Sequence, residues 1–284
     1  IIFLILIGCL FDSFEQNAIG LVGPLLKQQW GLTATDIGLL NTVTFASAAI
    51  GRIVSGLVAD RYGRRVMLSL DLLLFTLGAG ICALAPDLTV MAVGRAIVGF
   101  GLGGEIAIAV TMLAEFCSSK FRGTAVGLVN VGAGGMGNFL APAFGLLVFT
   151  LFPGESSWRW LFFCLMLPAL LGAFYRRYIP ETPRFLLSRH KIAEANEVLT
   201  RLASGKLSGP APQGRDWISD DGSRQQAAPA KVRSMEIFQG ALARRTLPLC
   251  IAIWMTYGAQ ISVLTLMPTI LVSLSTYRYN GMAA

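Results

Sequence analysis

Seven long apolar segments constrain the fold of this chain more than any other feature of its sequence. A helix needs about 20 mostly apolar residues to cross the hydrocarbon core of a bilayer. Turn-forming or helix-breaking residues, such as the Tyr62-Gly63 pair, separate the segments. The segments cover residues 1–26, 37–59, 66–85, 88–113, 124–152, 158–175 and 247–274. The sequence therefore predicts an all-α integral membrane protein in which seven helices cross the bilayer.

The composition excludes the main soluble alternatives. Only 14% of the residues are charged, whereas ordinary soluble domains carry about a quarter, and disordered chains are poor in apolar residues. The net charge of +7 indicates no nucleic-acid-binding face, because residues 176–245 contribute +6 of it, from 13 Lys and Arg and 7 Asp and Glu. The expected partners are the lipid bilayer and a small molecule, and no nucleic acid.

The sequence offers no cofactor chemistry. The five cysteines are far apart and His190 is the only histidine, so neither a metal site nor a disulfide framework is expected. Residues 99–104 and 132–137 have the G-x-G-x-x-G spacing of a dinucleotide site. Both lie inside apolar segments, where small residues let helices pack closely. With no recognisable arrangement of nucleophile, base and orienting group, the chain is not expected to be an enzyme.

Basic residues mark one side of the membrane. Lys and Arg are enriched in the cytoplasmic loops of membrane proteins. One side of this chain carries a loop with three arginines, a loop with Lys120 and Arg122, and the basic stretch 176–245, whereas the other has only Lys27 and Arg159. The sequence predicts a multi-pass protein of the plasma membrane (the bacterial inner membrane) with a cytoplasmic N-terminus and central loop.

The segments and the long loop divide the chain into three parts. Residues 1–179 are predicted to form a six-helix bundle, 180–245 a cytoplasmic linker, and 246–284 a seventh transmembrane helix with a tail. Apolar and charged residues alternate over 185–202 in a way that predicts an amphipathic helix at the membrane surface. Residues 204–231 are rich in Gly, Pro, Ser, Gln and Asp and are expected to be flexible.

The loop after the second segment carries a complete motif. It reads G-L-V-A-D-R-Y-G-R-R and resembles the G-x-x-x-D-R-x-G-R-R signature of the major facilitator superfamily, between its second and third helices. Gly63 suits a tight turn between antiparallel helices, and arginines hold such a turn at the cytoplasmic surface. The resemblance implies that Asp60 helps to lock the outward-facing state through contacts that include a helix of the second half. The defined positions are Gly56, Asp60, Arg61, Gly63, Arg64 and Arg65.

Three further motifs are similar to those of the same superfamily. One on the fourth segment looks like the R-x-x-x-G-x-G-x-G-G-E form of metabolite:proton symporters and sugar porters. The second is an E…RG junction, and the third, P-E-T-P-R-F-L-L, resembles the element after the sixth helix. The matched charged residues are Arg95, Glu105, Glu115, Arg122, Glu181 and Arg184. The resemblance implies the major facilitator fold: its N-terminal six-helix half, the linker and the seventh helix.

The chain departs from the superfamily in its length. The resemblance implies five more helices and a second copy of the loop signature, which the 284 residues do not contain. Substrate sites of such transporters lie between two repeats, so half of the fold holds half of a site. We therefore expect a truncated form, either a fragment or the product of an interrupted gene, of a protein that is a monomer when complete.

Six ionisable side chains fall inside the predicted spans. A charged side chain costs about 2.5–3.5 kcal/mol at the centre of a membrane helix, so each is a candidate for function. Their positions along the helices place Arg52 in one layer with three of the acids. The residues are Asp12, Glu15, Arg52, Asp71, Arg95 and Glu105.

These charges predict a proton-coupling site. Asp12 and Glu15 share one helical face, which should line a cavity rather than face lipid. We expect Asp12 or Glu105 to carry the coupled proton. Arg52 or Arg95 then serves as the counter-ion or as a clamp for an anion.

Structural roles are the alternative for the same residues. The charges could form ion pairs that hold spans one, two and four together, and Asp71 could reach the surface from the cytoplasmic end of its helix. Asparagines such as Asn17 and Asn138 fit either substrate binding or bonds between helices.

The expected function is secondary active transport. The fourth-helix motif and Asp12 on the first span resemble metabolite:proton symporters, which implies proton-coupled import of a small, anionic organic acid with the proton as coupling ion and no other cofactor. The P-E-T-P-R element is equally similar to that of sugar porters, so a sugar or polyol is the alternative substrate. A transport-inactive membrane protein is the alternative of another class.

Overall fold

The structure is a computed structural model, and its described residues form two compact units, Ile1–Ile218 and Ser219–Ala284. The described residues are 2–118, 120–167, 178–205, 217–218, 239–240, 242–252, 255–256, 258–259, 262–263, 267 and 270. In the second unit, every described residue from 242 to 270 is helical, in agreement with the predicted seventh span.

The first unit is built from long apolar helices. Among the described residues, five stretches are long and apolar enough to cross a membrane, and they confirm the first five predicted spans. They are α1 (Ile2–Trp30), α2 (Ala34–Tyr62), α3 (Arg64–Leu84), α4 (Leu88–Phe116) and the continuous stretch Arg122–Leu151. The fifth stretch consists of α5 (Arg122–Asn130), a π-helical segment (Val131–Gly137) and α6 (Asn138–Leu151). The sixth span begins as α7 (Ser157–Leu165), and its end lies outside the described residues.

Polar residues set where the helices begin. Thr33 caps α2: its hydroxyl accepts from the Asp36 amide at 3.3 Å, and the Asp36 carboxylate accepts from the Thr33 amide at 2.8 Å. Asp87 caps α4 by accepting from the Val90 amide at 2.9 Å. Gly63, with a φ of 108°, separates α2 from α3. These caps fix short connections, so consecutive helices run antiparallel.

Glycines let α4 pack directly on α2 and α3. A Cβ atom at Gly99 would lie 2.1 Å from the Thr44 carbonyl oxygen, and one at Gly103 would lie 2.0 Å from that of Ala48. Both distances are far below van der Waals contact, so any larger residue would force the helices apart. The glycine-rich sequence of α4 is therefore a packing surface, as predicted in preference to a dinucleotide site.

Asparagines join α1 to α6. The Asn17 side-chain amide donates to the Asn138 side-chain carbonyl at 2.8 Å, and the Asn138 amide donates to the Gly134 carbonyl, which lies in the π-helical segment. A π-helical turn changes the backbone pairing and re-aims the residues that follow it. This bond between helices is one of the two roles that the sequence left open for the pair.

The predicted amphipathic helix is two helices. They are α8 (Pro183–Ser188) and α9 (Ile192–Ser204), with the break at His190, whose φ is 57°. The prediction of a single helix over 185–202 was wrong, because a non-glycine residue in the left-handed region ends a helix. Leu186 of α8 packs with Ala195 and Val198 of α9, against the partly buried Phe116 at the end of α4. The domain boundaries drawn at 179/180 and 245/246 stay predictions.

Candidate functional site

A group of polar side chains lies buried among α1, α2, α3 and α4. Each of these side chains is at most 1% exposed. Burying so many polar groups is costly unless they pair with one another or serve a function. We call this group the buried polar core; its members are Asp12, Glu15, Thr44, Ser55, Asp71, Arg95 and Glu105.

An ion pair between Glu15 and Arg95 joins α1 to α4. The Arg95 guanidinium donates to the Glu15 carboxylate through Nη1. Its Nη2 donates to the Glu15 backbone carbonyl at 3.5 Å. Its Nε donates to the Thr44 hydroxyl at 3.0 Å, which brings in α2. A buried guanidinium is stable only when it is both paired and hydrogen-bonded, and Arg95 meets both conditions.

Asp12 and Glu105 form a pair of carboxyl groups beside this ion pair. The two carboxyl groups lie close enough for a hydrogen bond between their side chains. An ionised carboxylate only accepts hydrogen bonds, so such a bond requires a proton on one of the two groups. The second oxygens, Oδ2 of Asp12 and Oε2 of Glu105, have no hydrogen-bond partner among the described residues. The pair is thus suited to hold one proton and to share it.

Asp71 extends the buried polar core toward the start of α3. Its Oδ1 accepts a hydrogen bond from the Ser55 hydroxyl at 2.9 Å, and its side chain is completely buried. The expectation that Asp71 reaches the membrane surface is therefore wrong. Gly104 of α4 faces the carboxylate: a Cβ there would lie 2.3 Å from Asp71 Oδ2, so α4 closes over the acid. Span and depth alone did not reveal this, because the sequence does not say which way Asp71 points.

Arg52 does not join the acids. Its side chain is exposed and forms no ion pair with a described residue. The position of Arg52 along the helix sets its depth, but it does not set the direction of the side chain around the helix axis. Gly51 packs against Phe100 of α4, and the next residue is turned about 100° away from that contact. Arg95 is therefore the arginine that the structure brings into the buried polar core.

A second group of residues, most of them charged, lies where α2 ends and α3 begins, around the loop signature of the sequence analysis. We call it the α2–α3 end network; its members are Asp60, Arg61, Gly63, Arg64, Arg65, Glu115, Glu181 and Arg189. Its residues come from α2, α3 and α4, from the turn at Gly63, and from the two flanks of α8, where Glu181 and Arg189 lie.

Glu181 binds the first amides of α3. Its carboxylate accepts from the Arg64 amide at 3.0 Å and from the Arg65 amide at 3.2 Å. A helix N-terminus attracts an anion because its first amides are unpaired and its dipole is positive there. A Cβ at Gly63 would lie 2.3 Å from Glu181 Oε2. The glycine is thus needed for the carboxylate as well as for the turn, which the sequence did not reveal.

Arg64 connects three helices. Its guanidinium lies 3.3 Å from the Asp60 carboxylate on α2 and 3.2 Å from that of Glu115 on α4. It also lies over the Phe185 ring of α8, 5.6 Å from the centroid. Arg189 lies over the same ring and donates to the Arg61 carbonyl oxygen. The arginines of the loop signature therefore hold helix ends together.

Three other signature residues have no such role in the described part of the chain. Gly56 has no neighbouring atom within 4 Å of the position of a Cβ. Arg122 and Arg184 are exposed, and with Glu115 they line a cavity of about 330 Å³ at the end of α4. The described residues contain no group of three or more His, Cys, Asp or Glu placed to hold a metal ion.

A family model and curated proteins match this chain. The family model described as "Sugar (and other) transporter" matches residues 14–274. The niacin transporter NiaP of Acinetobacter baylyi is 28% identical over 94% of this chain and 58% of its own length. The 4-hydroxybenzoate transporter PcaK of the same organism is 30% identical over 70% of this chain and 43% of its own length. The chain spans about half the length of the curated relatives it matches.

A solved structure shares the fold. The xylose transporter XylE from E. coli, in a partially occluded inward-open conformation, aligns with 73% of this chain and 54% of its own, with a TM-score of 0.63 and 21% identity. At this identity the likeness concerns the fold. The described helices therefore have the arrangement of the major facilitator fold.

Proposed function

We propose that this chain, which belongs to the sugar (and other) transporter family, carries out proton-coupled symport of a small organic acid. Family membership makes it a multi-pass membrane protein of a transporter family and not an enzyme. The observation that carries the proposal is the buried polar core, in which the proton-sharing pair of Asp12 and Glu105 lies beside the ion pair of Glu15 and Arg95.

Charge balance supplies the coupling. In a buried site, an unpaired charge costs roughly several kcal/mol. A negative charge must therefore enter or leave together with a positive charge. An organic anion that binds Arg95 displaces Glu15 from the guanidinium and leaves one uncompensated negative charge. A proton taken up on a core carboxyl restores the balance. One anion and one proton therefore enter together, and both are released when the site opens to the other side.

Arg95 supports an anionic substrate. A guanidinium offers several donors in a plane and pairs well with a carboxylate. Arg95 is the buried arginine of the described residues, and it already holds a carboxylate, that of Glu15. The similarity to a 4-hydroxybenzoate transporter agrees with this substrate class.

A sugar or polyol is the second candidate. The description of the matching family model favours it. The amide pair of Asn17 and Asn138 also offers donors and acceptors of the kind that bind hydroxyl groups, at the contact between α1 and α6. A neutral substrate would leave the Glu15–Arg95 ion pair in place, so the two candidates differ in what they require of Arg95.

We also propose the orientation and the membrane. The α2–α3 end network and the basic central stretch would face the cytoplasm of a bacterium, because basic loops remain on that side of the inner membrane. The protein would act as a monomer. Labelling of cysteines in intact cells by a membrane-impermeant reagent tests the orientation. One variant carries its single cysteine at position 155, in place of Glu155, and the other keeps Cys117 as its single cysteine. The cysteine at position 155 should react and Cys117 should not; the reverse pattern would contradict the orientation.

Uptake into liposomes tests the function. Protein purified from its complete gene is reconstituted, and uptake of 4-hydroxybenzoate, niacin, xylose and myo-inositol is measured with the outside acidic and with equal pH. We expect accumulation of an organic acid only with the pH gradient, and its loss in Arg95→Lys, which keeps the charge but not the planar fork. Uptake of a sugar that Arg95→Lys leaves intact supports the second candidate, and no uptake of any compound contradicts transport.

A further inference from the structure

Asp71 has an oxygen that the proposed mechanism does not use. Its Oδ1 is bound by the Ser55 hydroxyl, whereas its Oδ2 has no hydrogen-bond partner among the described residues, although the side chain is completely buried. Leaving a buried acceptor unpaired costs about 1–3 kcal/mol. If Asp71 served only to bind Ser55, a neutral asparagine would do so at lower cost. The free oxygen indicates a second partner that is present only part of the time.

The neighbours of Asp71 identify this partner. Its Oδ2 faces Gly104, the residue before Glu105, and the absence of a side chain at Gly104 leaves the carboxylate close to α4. Asp71 lies within electrostatic range of both Glu105 and Asp12. The groups that face it are therefore Ser55 from α2, Glu105 from α4 and Asp12 from α1. Carboxyl groups that repel one another in a buried site are costly to ionise together.

The acids are arranged in steps along the bundle. Arg64 at the start of α3 contacts Glu115 at the end of α4, so these two residues mark one level. At a rise of 1.5 Å per residue, Asp71 lies about 10 Å of helix from that level and Glu105 about 15 Å. Asp71 is thus about one helical turn nearer than Glu105 to the α2–α3 end network.

We infer that Asp71 receives the coupled proton from the pair of Asp12 and Glu105 and is the exit station toward the α2–α3 end. In the transfer, the O–H bond of the Glu105 carboxyl breaks and an O–H bond forms at Asp71 Oδ2, directly or through one water. Glu105 becomes a carboxylate and Asp71 becomes neutral, so the total charge of the buried polar core is unchanged. The Ser55 hydroxyl holds Asp71 in place throughout. The inference rests on the proposed proton-coupled transport and adds the route by which the proton leaves.

Two transport measurements on Asp71→Asn test the inference. The variant keeps the size of the side chain and an acceptor for Ser55, but it cannot take up a proton. In liposomes we expect loss of accumulation driven by a pH gradient, while exchange of labelled for unlabelled substrate at equal pH continues. Asp71→Glu keeps the carboxyl and should retain part of the accumulation. Glu155→Gln, at an exposed loop position, is the matched control and should behave like the native protein. Accumulation by Asp71→Asn at the native level would overturn the inference.

Infrared spectroscopy can be applied to variants that transport poorly. It also distinguishes a failure of the role of Asp71 from a failure of the proposed proton-coupled transport. Difference spectra of the protein in liposomes, recorded between acidic and alkaline pH, report the carbonyl band of protonated carboxyl groups. We expect Asp71→Asn to remove one such band and Ser55→Ala to shift it. Bands unchanged by either variant would overturn the role of Asp71 even if the native protein is proton-coupled. If the bands respond as expected but the native protein needs no pH gradient, the proposed function fails instead, and with it the exit role.

Discussion

The buried polar core and the α2–α3 end network use charge in opposite ways. In the core, four acids face one arginine, and each of the four keeps one oxygen without a hydrogen-bond partner among the described residues. In the network, arginines outnumber acids, and Glu181 is satisfied by backbone amides of α3, so that among its acids only Oε2 of Glu115 is a buried oxygen without a partner in the described part of the chain. Unsatisfied buried groups are costly to keep and ready to accept a proton, whereas satisfied groups near the surface hold elements in place. The comparison assigns chemistry to the core and mechanical connection to the network.

The largest effect is expected from breaking the ion pair of the core. Arg95→Ala leaves Glu15 buried without its cation, and removal of one partner of a buried pair costs about 3–5 kcal/mol. We expect a strongly lowered thermal midpoint of the purified protein in detergent. The double variant Glu15→Leu/Arg95→Met, which removes both charges, should recover most of the loss. A midpoint for Arg95→Ala close to the native value would mean that the pair is not desolvated.

A packing variant should be next in size. Gly103→Ala places a Cβ 2.0 Å from the Ala48 carbonyl oxygen, and overpacking of this kind costs about 1–3 kcal/mol. The same thermal measurement applies. Gly127→Ala is the matched control, because nothing lies within 4 Å of its Cβ position. Equal midpoints for the two variants would contradict the close approach of α4 to α2.

The network should respond less than the core. Glu181→Gln keeps an acceptor for the Arg64 and Arg65 amides but removes the negative charge at the start of α3. Such a charge contributes about 0.3–1 kcal/mol, and up to about 2 kcal/mol where it is partly buried. We expect a small decrease in the thermal midpoint that shrinks in high salt. A decrease as large as that of Arg95→Ala would erase the distinction between the two regions.

The smallest effect is expected at Asp60. Its carboxylate is 74% exposed and pairs with Arg64 at 3.3 Å, and exposed ion pairs contribute about 0–1 kcal/mol. Asp60→Asn should therefore leave the thermal midpoint of this chain almost unchanged. If Asp60 locks a transport state, as the resemblance implies, the same variant should change the uptake rate at unchanged stability. A large loss of stability would show that Asp60 is structural.

Patterns along the chain predicted the helices well but not their contacts. The apolar segments predicted the five spans that the structure confirms, and the small residues of α4 predicted its close packing. Segment length and residue size are local properties, so the sequence reports them directly. The Glu181 contact with α3 joins residues more than a hundred positions apart, and no local pattern reports it. Arg52 and Asp71 were misplaced for one reason: hydropathy fixes depth in a membrane, but rotation about the helix is fixed by neighbouring helices.

Proton movement during substrate entry tests the central claim most directly, namely that the carboxyl pair of Asp12 and Glu105 couples a proton to transport. The native protein and Asp12→Asn are reconstituted in liposomes that contain a pH-sensitive dye, and an organic acid identified by uptake is added outside at equal pH. The account predicts acidification inside liposomes with the native protein and none with Asp12→Asn, although the variant still exchanges substrate. Equal acidification with both proteins would contradict it.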